Sequence, residues 1–249
     1  MGLTETDAIV LRSIKLGEAD KIATLLTSQE GVVRGVARGA RRLKSRFGAS
    51  LEPFTLVRLT FFEKEARELV SITRAEITRS YFGLTRDDAV FVELEYLAGL
   101  ILEFAPLRAP DERFYRMLRA CLEALAGAPG EVTWVAHYCE VWTLKLAGFL
   151  PDLSKCQTCG KPLKGERRGV ALNSGSNFEC HGCANARGVA VSPEAFILVA
   201  TALKTPPESW SREAATKDLH CATEVRELLR ILIARALERE PALRPRRSA

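Results

Sequence analysis

The most specific chemistry in the chain belongs to four cysteines. Cys156-Gln-Thr-Cys159 and Cys180-His-Gly-Cys183 are two C-x2-C pairs separated by twenty residues, the spacing of zinc ribbons and related treble-clef sites. A tight turn under each pair directs two sulfurs into one space, with Gly160 and Gly182 beside them relaxing the backbone. Four thiolates suit one Zn2+ ion and leave no coordination position for water, so the expected role is structural and not catalytic. Redox use is the competing reading, but a thioredoxin-like dithiol needs one pair in a βαβ setting, and stable disulfides do not suit the cytoplasm. Zinc deaminases require His-x-Glu upstream of the cysteines; here the nearest match is His137-Tyr138-Cys139-Glu140, with cysteine at the required position. Cys121, Cys139 and Cys221 lie in helical patterns and are expected in the core.

A second group of residues points to an anion. Arg34, Arg38, Arg41, Arg42, Lys44 and Arg46 fall within thirteen residues that contain no acid. Like charges so close repel one another unless a polyanion is near, and Gly35, Gly39 and Gly48 let the backbone approach a phosphate chain. No Gly-Lys-Ser/Thr follows, so the segment is not a P-loop, and no nucleotide cofactor is indicated. Phe47 is the ring best placed to stack on a base beside those charges. The expected ligand is a single-stranded nucleic acid; the alternatives are a solvated loop, or an acidic protein partner with the zinc module stabilising an interaction scaffold.

The elements that must position these groups change character along the chain. Strand-like alternation marks Glu5 to Ile14, Lys21 to Thr27, Gly31 to Ala37, Phe54 to Phe62 and Leu69 to Ile77, with residues 63–67 as a hairpin tip. Five short strands without a long helix predict a small barrel, an OB-fold first and an SH3-like barrel second. After Gly83 the period becomes 3.6, predicting helices from Asp87 to Phe104, from an Asp111 cap to Ala126, and from Glu131 to Leu146. Ser192-Pro193-Glu194 opens a further helix that Pro206-Pro207 should stop, and a last one runs from about Lys217 to Glu238. The fold class is thus multidomain α+β: a five-stranded OB-fold barrel over 1–80, an α-helical domain over 81–152 and 191–240 with the four-cysteine zinc-binding module at 153–190 embedded in it, and a basic tail at 241–249.

Charge and hydropathy set the partners. The net charge is +5, distributed unevenly: fourteen Lys and Arg face ten Asp and Glu in 1–80, whereas 81–140 holds five against ten. Basic blocks flanking an acidic one suit a polyanion met by particular faces. No apolar run reaches the roughly 20 residues that span a membrane, and no secretory leader is evident, so no membrane role is expected and the cytoplasm is the expected compartment.

Gly17-Glu-Ala-Asp-Lys-Ile, Gly39-Ala-Arg-Arg-Leu-Lys-Ser-Arg-Phe-Gly and Leu51-Glu-Pro-Phe54 together resemble the N-terminal domain of the RecO family of bacterial recombination mediators. Leu146-Ala-Gly-Phe-Leu-Pro151 leading into Cys156-Gln-Thr-Cys159-Gly is similar to that family's junction between helix and zinc site. The resemblance implies a non-enzymatic protein of DNA repair that binds single- and double-stranded DNA and anneals complementary strands. It also implies action with RecR to help RecA load onto strands coated by single-strand-binding protein, at the nucleoid. Arg38, Arg41, Arg42, Lys44 and Arg46 match the family's basic loop, and the four cysteines match its zinc ligands. Asn173-Ser-Gly-Ser-Asn-Phe178 departs from the glycine pair of many relatives. Arg113, Arg116 and Arg119 recur at helical spacing and are candidates for an acidic peptide tail, and Lys155, Lys161, Lys164, Arg167 and Arg168 are candidates for DNA contact from the zinc module.

Overall fold

A computed structural model describes residues 2–63, 69–185 and 188–238; most of the expected hairpin tip at 63–67 and the tail at 241–249 lie outside the described residues. The chain divides into two compact units, Met1–Pro129 and Gly130–Ala249. The division falls between the second and third helices, so the first two helices lie in the same compact unit as the barrel.

In the first unit five strands, β1 (Leu3–Leu16), β2 (Asp20–Thr27), β3 (Val32–Ala37), β4 (Thr55–Phe62) and β5 (Val70–Ser80), form a closed barrel in the order β1-β2-β3-β5-β4. β1 is long enough to serve two neighbours. Its first half pairs with β4, from Leu3↔Phe62 to Ile9↔Leu56, and its second half with β2, from Ala8↔Thr27 to Leu16↔Asp20. A bulge between Val10 and Arg12 bends the strand from one partner to the other. The barrel closes where β3 meets β5 in parallel, Gly35↔Val70 and Val36↔Ser71. Gly35 is required there, since a Cβ would lie 2.7 Å from Ile72 and 2.8 Å from Val70 side-chain carbons. Alternate residues such as Val10, Leu25, Val33, Leu59 and Ile72 fill the interior, as the period of two demands.

Helices α1 (Asp88–Phe104) and α2 (Glu112–Gly127) follow. Asp87 caps α1 by accepting from the N–H groups of Ala89 and Val90, and Asp111 caps α2 through Arg113 N–H. Their connection packs on the start of β3: Val32 N–H donates to Pro106 O at 2.9 Å, and Arg108 N–H donates to Val32 O at 3.2 Å. Gly31, at φ +62°, occupies the tightest point, where a Cβ would collide with the carbonyl oxygens of Pro106 and Ala109.

The second unit holds α3 (Val132–Leu146), a small antiparallel sheet in the order β7-β6-β8 (β6 Val170–Leu172, β7 Phe178–Cys180, β8 Val189–Val191), then α4 (Pro193–Ala202), α5 (Pro207–Ala214) and α6 (Leu219–Leu237). Ser192 caps α4 as expected. Pro206-Pro207 does not stop that helix, which ends four residues earlier; Pro207 instead opens α5, because a proline at the first helical position gives up an N–H that has no partner there anyway. Aromatic donors on α3 and α5 reach carbonyls within α4, at its end and beyond it: Trp210 Nε1 to Leu198 O at 2.9 Å, Trp142 Nε1 to Ala202 O at 2.9 Å and Tyr138 OH to Thr205 O at 3.1 Å. Cys121, Cys139 and Cys221 are all buried. No helix among the described residues is long and apolar enough to cross a membrane.

Three substitutions test this account of the first unit. Gly31→Ala is expected to cost about 2–4 kcal/mol through backbone strain and overpacking, read from urea unfolding, whereas Gly48→Ala, also at positive φ but facing open space, costs only about 1 kcal/mol. Asp111→Ala should cost about 1 kcal/mol at neutral pH. The hydrogen bond from Arg113 holds the Asp111 carboxyl below its usual range. A depressed carboxyl stabilises the fold above its unfolded pKa of about 4 and ceases to do so as the pH falls through its lower folded value, so the difference between the proteins must close in acid.

Candidate nucleic-acid interface and candidate metal centre

The basic segment leaves β3 at Ala37 and crosses one end of the barrel before β4 begins. Apolar side chains tie it down: Ala40, Phe47 and Leu51 all join the barrel core. Phe47 is only 3% exposed, so the ring expected to stack on a base is instead part of the fold, and the Arg46 guanidinium lies over it at 5.0 Å. Strand periodicity does not extend into this connection, so no local pattern signals that the ring points inward. Backbone bonds complete the anchoring. Gly39 N–H donates to Asp20 Oδ1 at 2.8 Å, Arg41 N–H to Ala19 O at 2.9 Å, Arg42 N–H to Gly39 O at 3.1 Å and Ser45 N–H to Arg42 O at 2.9 Å.

The cations are thereby held outward. Arg34, Arg38, Arg41, Arg42, Lys44 and Arg46 are all exposed, and none takes part in the ion pairs found among the described residues. They are not equivalent. Arg41 spends part of its guanidinium on the fold, donating from one terminal nitrogen to Gly17 O at 2.7 Å. Lys21, adjacent in space to this region through β2, is neutralised by Glu52 at 2.9 Å.

A surface that the sequence reading missed continues from Arg34 and Arg38. Residues 34, 36 and 38 share one face of β3 and its extension, and the register Ile14↔Ile22 and Ile22↔Val36 carries an aliphatic row across three strands on the outside of the barrel. Ile14 is 56% exposed, and exposed Arg12 lies two residues before it on the same face. Apolar residues at outward strand positions were the available signal, hidden because they read as core.

Arg113, Arg116 and Arg119 do not converge. Arg113 is bound to Asp111 at 2.8 Å, Arg119 to Glu123 at 3.1 Å, and Arg116 is exposed. Arg119 does line a cavity of about 290 Å3 with Asp7, Arg58, Arg79, Tyr115 and Glu123. Its cations are already satisfied, Arg58 by Asp7 at 3.3 Å and Arg79 by Glu123 at 3.7 Å. Burial, followed by the Asp7 charge, pushes the Tyr115 hydroxyl up.

In the second unit all four cysteine sulfurs lie within 4.8 Å of one another. Two turns build the cluster. Gly160 N–H folds back to Cys156 O at 2.9 Å, and Cys183 and Ala184 N–H both fold back to Cys180 O at 2.9 and 3.0 Å. The turns are joined by Gln157 N–H to Phe178 O at 3.0 Å and by Cys180 N–H to Cys156 Sγ at 3.3 Å. Cys159 Sγ and Cys180 Sγ are 3.8 Å apart, the edge of a tetrahedron whose metal–sulfur bonds are about 2.3 Å. The cluster can hold a metal ion.

Its electrostatics favour thiolates unevenly. Burial opposes ionisation of Cys156, but N–H groups of Cys159, Cys180 and Thr158 outweigh it and bring the thiol down to about 6. Hydrogen bonds with Cys159 and Cys180 push the Cys183 thiol up to about 12. Around them Glu179, 8% exposed, accepts from Thr158 Oγ1 at 2.9 Å and Asn173 Nδ2 at 3.1 Å. Arg235 of α6 donates to Asn173 O at 2.7 Å, fastening the loop 173–178 to the helices. Of the nearby basic residues, Lys161 pairs with Glu166 at 3.3 Å.

Elemental analysis of the purified chain is expected to give one bound metal per molecule, abolished in Cys156→Ser and in Cys180→Ser. Chelation should strip hydrogen-exchange protection from β6 and β7 and leave the barrel strands protected, since metal affinity is here folding free energy on the order of 10 kcal/mol. Full protection of β6 and β7 in metal-free protein would contradict this.

Two family models cover the chain, and they meet between residues 81 and 94, ahead of the division between the compact units at 129/130. The family model described as Recombination protein O N terminal matches residues 1–81, and that described as Recombination protein O C terminal matches residues 94–244. The chain is similar to the DNA repair protein RecO of Streptomyces coelicolor, 37% identical over 213 residues that cover 82% of this chain and 83% of that protein. It is 33% identical over 185 residues to that of Anaeromyxobacter sp. (strain K), covering 74% and 72% of the two chains. Against the RecO of Koribacter versatilis the identity is 37% over 161 residues, 65% of each chain. The chain belongs to the RecO family.

Proposed function

We propose that this chain is a non-enzymatic DNA-binding protein of recombinational repair. Its barrel, read as an OB-fold, binds single- and double-stranded DNA and brings complementary strands together. The observation that carries this reading is the exposed, unpaired cation run Arg34–Arg46, held outward by the buried Ala40 and Phe47. Annealing requires no acid, base or nucleophile. It requires two phosphate chains to be screened while their bases stay accessible, and a fixed display of guanidinium groups supplies the screening. The aliphatic row Ile14, Ile22 and Val36, continuous with Arg34 and Arg38, offers a surface for bases in place of the ring of Phe47.

The metal in this reading is zinc. Four thiolates complete its tetrahedron and leave it no catalytic position; its contribution is to fold 153–190 onto the helices through Cys156, Cys159, Cys180 and Cys183. In the cell, the protein acts with RecR to help RecA load on strands coated by single-strand-binding protein, in the cytoplasm at the nucleoid. These partners rest on the resemblance to the RecO family, and pull-down of purified RecR tests them directly.

The DNA contacts are best tested with Arg42 and Lys44, which carry no structural bond of the kind that Arg41 makes to Gly17. Four to six neutralised phosphates on a single strand give a slope of log affinity against log salt of roughly −3 to −4. In the double variant Arg42→Ala, Lys44→Ala the slope should become shallower by about 1.4, with weakening alike for all sequences. An unchanged slope would instead favour an acidic protein as the partner of this loop.

A further inference from the structure

Among the cations of the basic segment stands one side chain of the wrong character for a solvated loop. Leu43 is 102% exposed, between Arg41 and Arg42 on one side and Lys44 and Arg46 on the other. Its position is fixed. Ser45 N–H donates to Arg42 O at 2.9 Å, closing a four-residue turn with Leu43 and Lys44 at its two central positions. The flanks of that turn are sunk into the barrel through Ala40, 8% exposed, and Phe47, 3% exposed. A fully hydrated leucine at the tip of a rigid, cation-ringed turn gains nothing for folding, so its use must come from something that arrives with negative charge and offers an apolar slot.

We propose that Leu43 is the wedge of this interface: it enters between neighbouring bases of a bound strand while the flanking cations grip the phosphates on either side. The inference rests on the nucleic-acid reading of the same loop and names the residue that touches bases. Parting two stacked bases opens a slot with apolar faces that one aliphatic side chain can fill, and proteins part them with Leu, Ile, Met or Phe inserted beside arginines that hold the backbone. Phe47 cannot do this from inside the barrel. For annealing the consequence is useful, because a strand whose bases have been unstacked at one step presents them for pairing with a second strand.

The test uses the full chain, zinc-loaded, and a single-stranded oligonucleotide carrying 2-aminopurine, whose fluorescence rises when it is unstacked. The wild type should raise that fluorescence. Leu43→Ala should abolish the rise and weaken binding about 3- to 10-fold while leaving the salt slope unchanged, since no phosphate contact is lost; Leu43→Met should restore both. The side chain is outside the core, so these variants keep the fold. If the wild type binds the oligonucleotide and Leu43→Ala matches it in fluorescence and affinity, the wedge is overturned and the phosphate reading stands. If the wild type binds no oligonucleotide, the underlying reading fails. Loss of binding by Leu43→Ala to phosphatidylserine vesicles alone, with the oligonucleotide unaffected, would assign the leucine to a lipid surface and overturn the proposal equally.

Discussion

The first unit depends on the burial of a few apolar side chains from a segment crowded with cations. Two exposed cations about 7 Å apart repel by roughly 0.5 kcal/mol in water, less with salt, and the six of Arg34–Arg46 together oppose ordering by a few kcal/mol at most. Burying a phenylalanine ring contributes about 1.5–3 kcal/mol, and Phe47 is joined in the core by Ala40 and Leu51. The anchors therefore win, and the connection holds one shape although, among the described residues, none of its six cations takes part in an ion pair. A polyanion meeting such a surface has little ordering entropy to overcome.

Much of this was legible in the residues, for reasons that differ. The metal cluster could be read because two C-x2-C pairs admit few geometries in which four sulfurs avoid one another. The five strands could be read because alternation is strong wherever one face meets a core, and the caps at Asp111 and Ser192 because a short acceptor before a helix has one dominant use. What escaped was decided by tertiary contact. Phe47 lies outside any periodic element, so nothing local says which way it points. The helix α5 has eight residues and begins with the residue that ordinarily ends helices. The strands β6, β7 and β8 are three residues each, too short for a pattern, and the cysteine turns and the bond from Arg235 to the loop 173–178 hold the segments beside them. Assigning α1 and α2 to the barrel's unit required the contact between their connection and Val32, which no local pattern encodes.

The two arginines that look most alike in sequence, Arg41 and Arg42, also show how geometry redistributes roles. One ties the segment to the turn after β1 through Gly17 O, while the other keeps its guanidinium in solvent. The same division recurs in the second unit, where Arg235 serves the loop 173–178 and stabilises the segment leading into the second cysteine pair. A basic residue near a candidate site is thus evidence for ligand contact only after its backbone obligations are met.

The sharing of β1 between two partners has a consequence for how the chain is made. During synthesis β2 follows β1 closely, so the half from Ala8 to Leu16 is paired almost as soon as it emerges. The rest, Leu3 to Asp7, has no neighbour until β4 has been translated, and the β4-facing edge of Ala8 and Ile9, side chains that the finished barrel hides completely, stands open with it. Nascent barrels of this design are therefore most vulnerable to pairing with one another in that interval, and the acidic side chains at Glu5 and Asp7 on the waiting half act as gatekeepers against it.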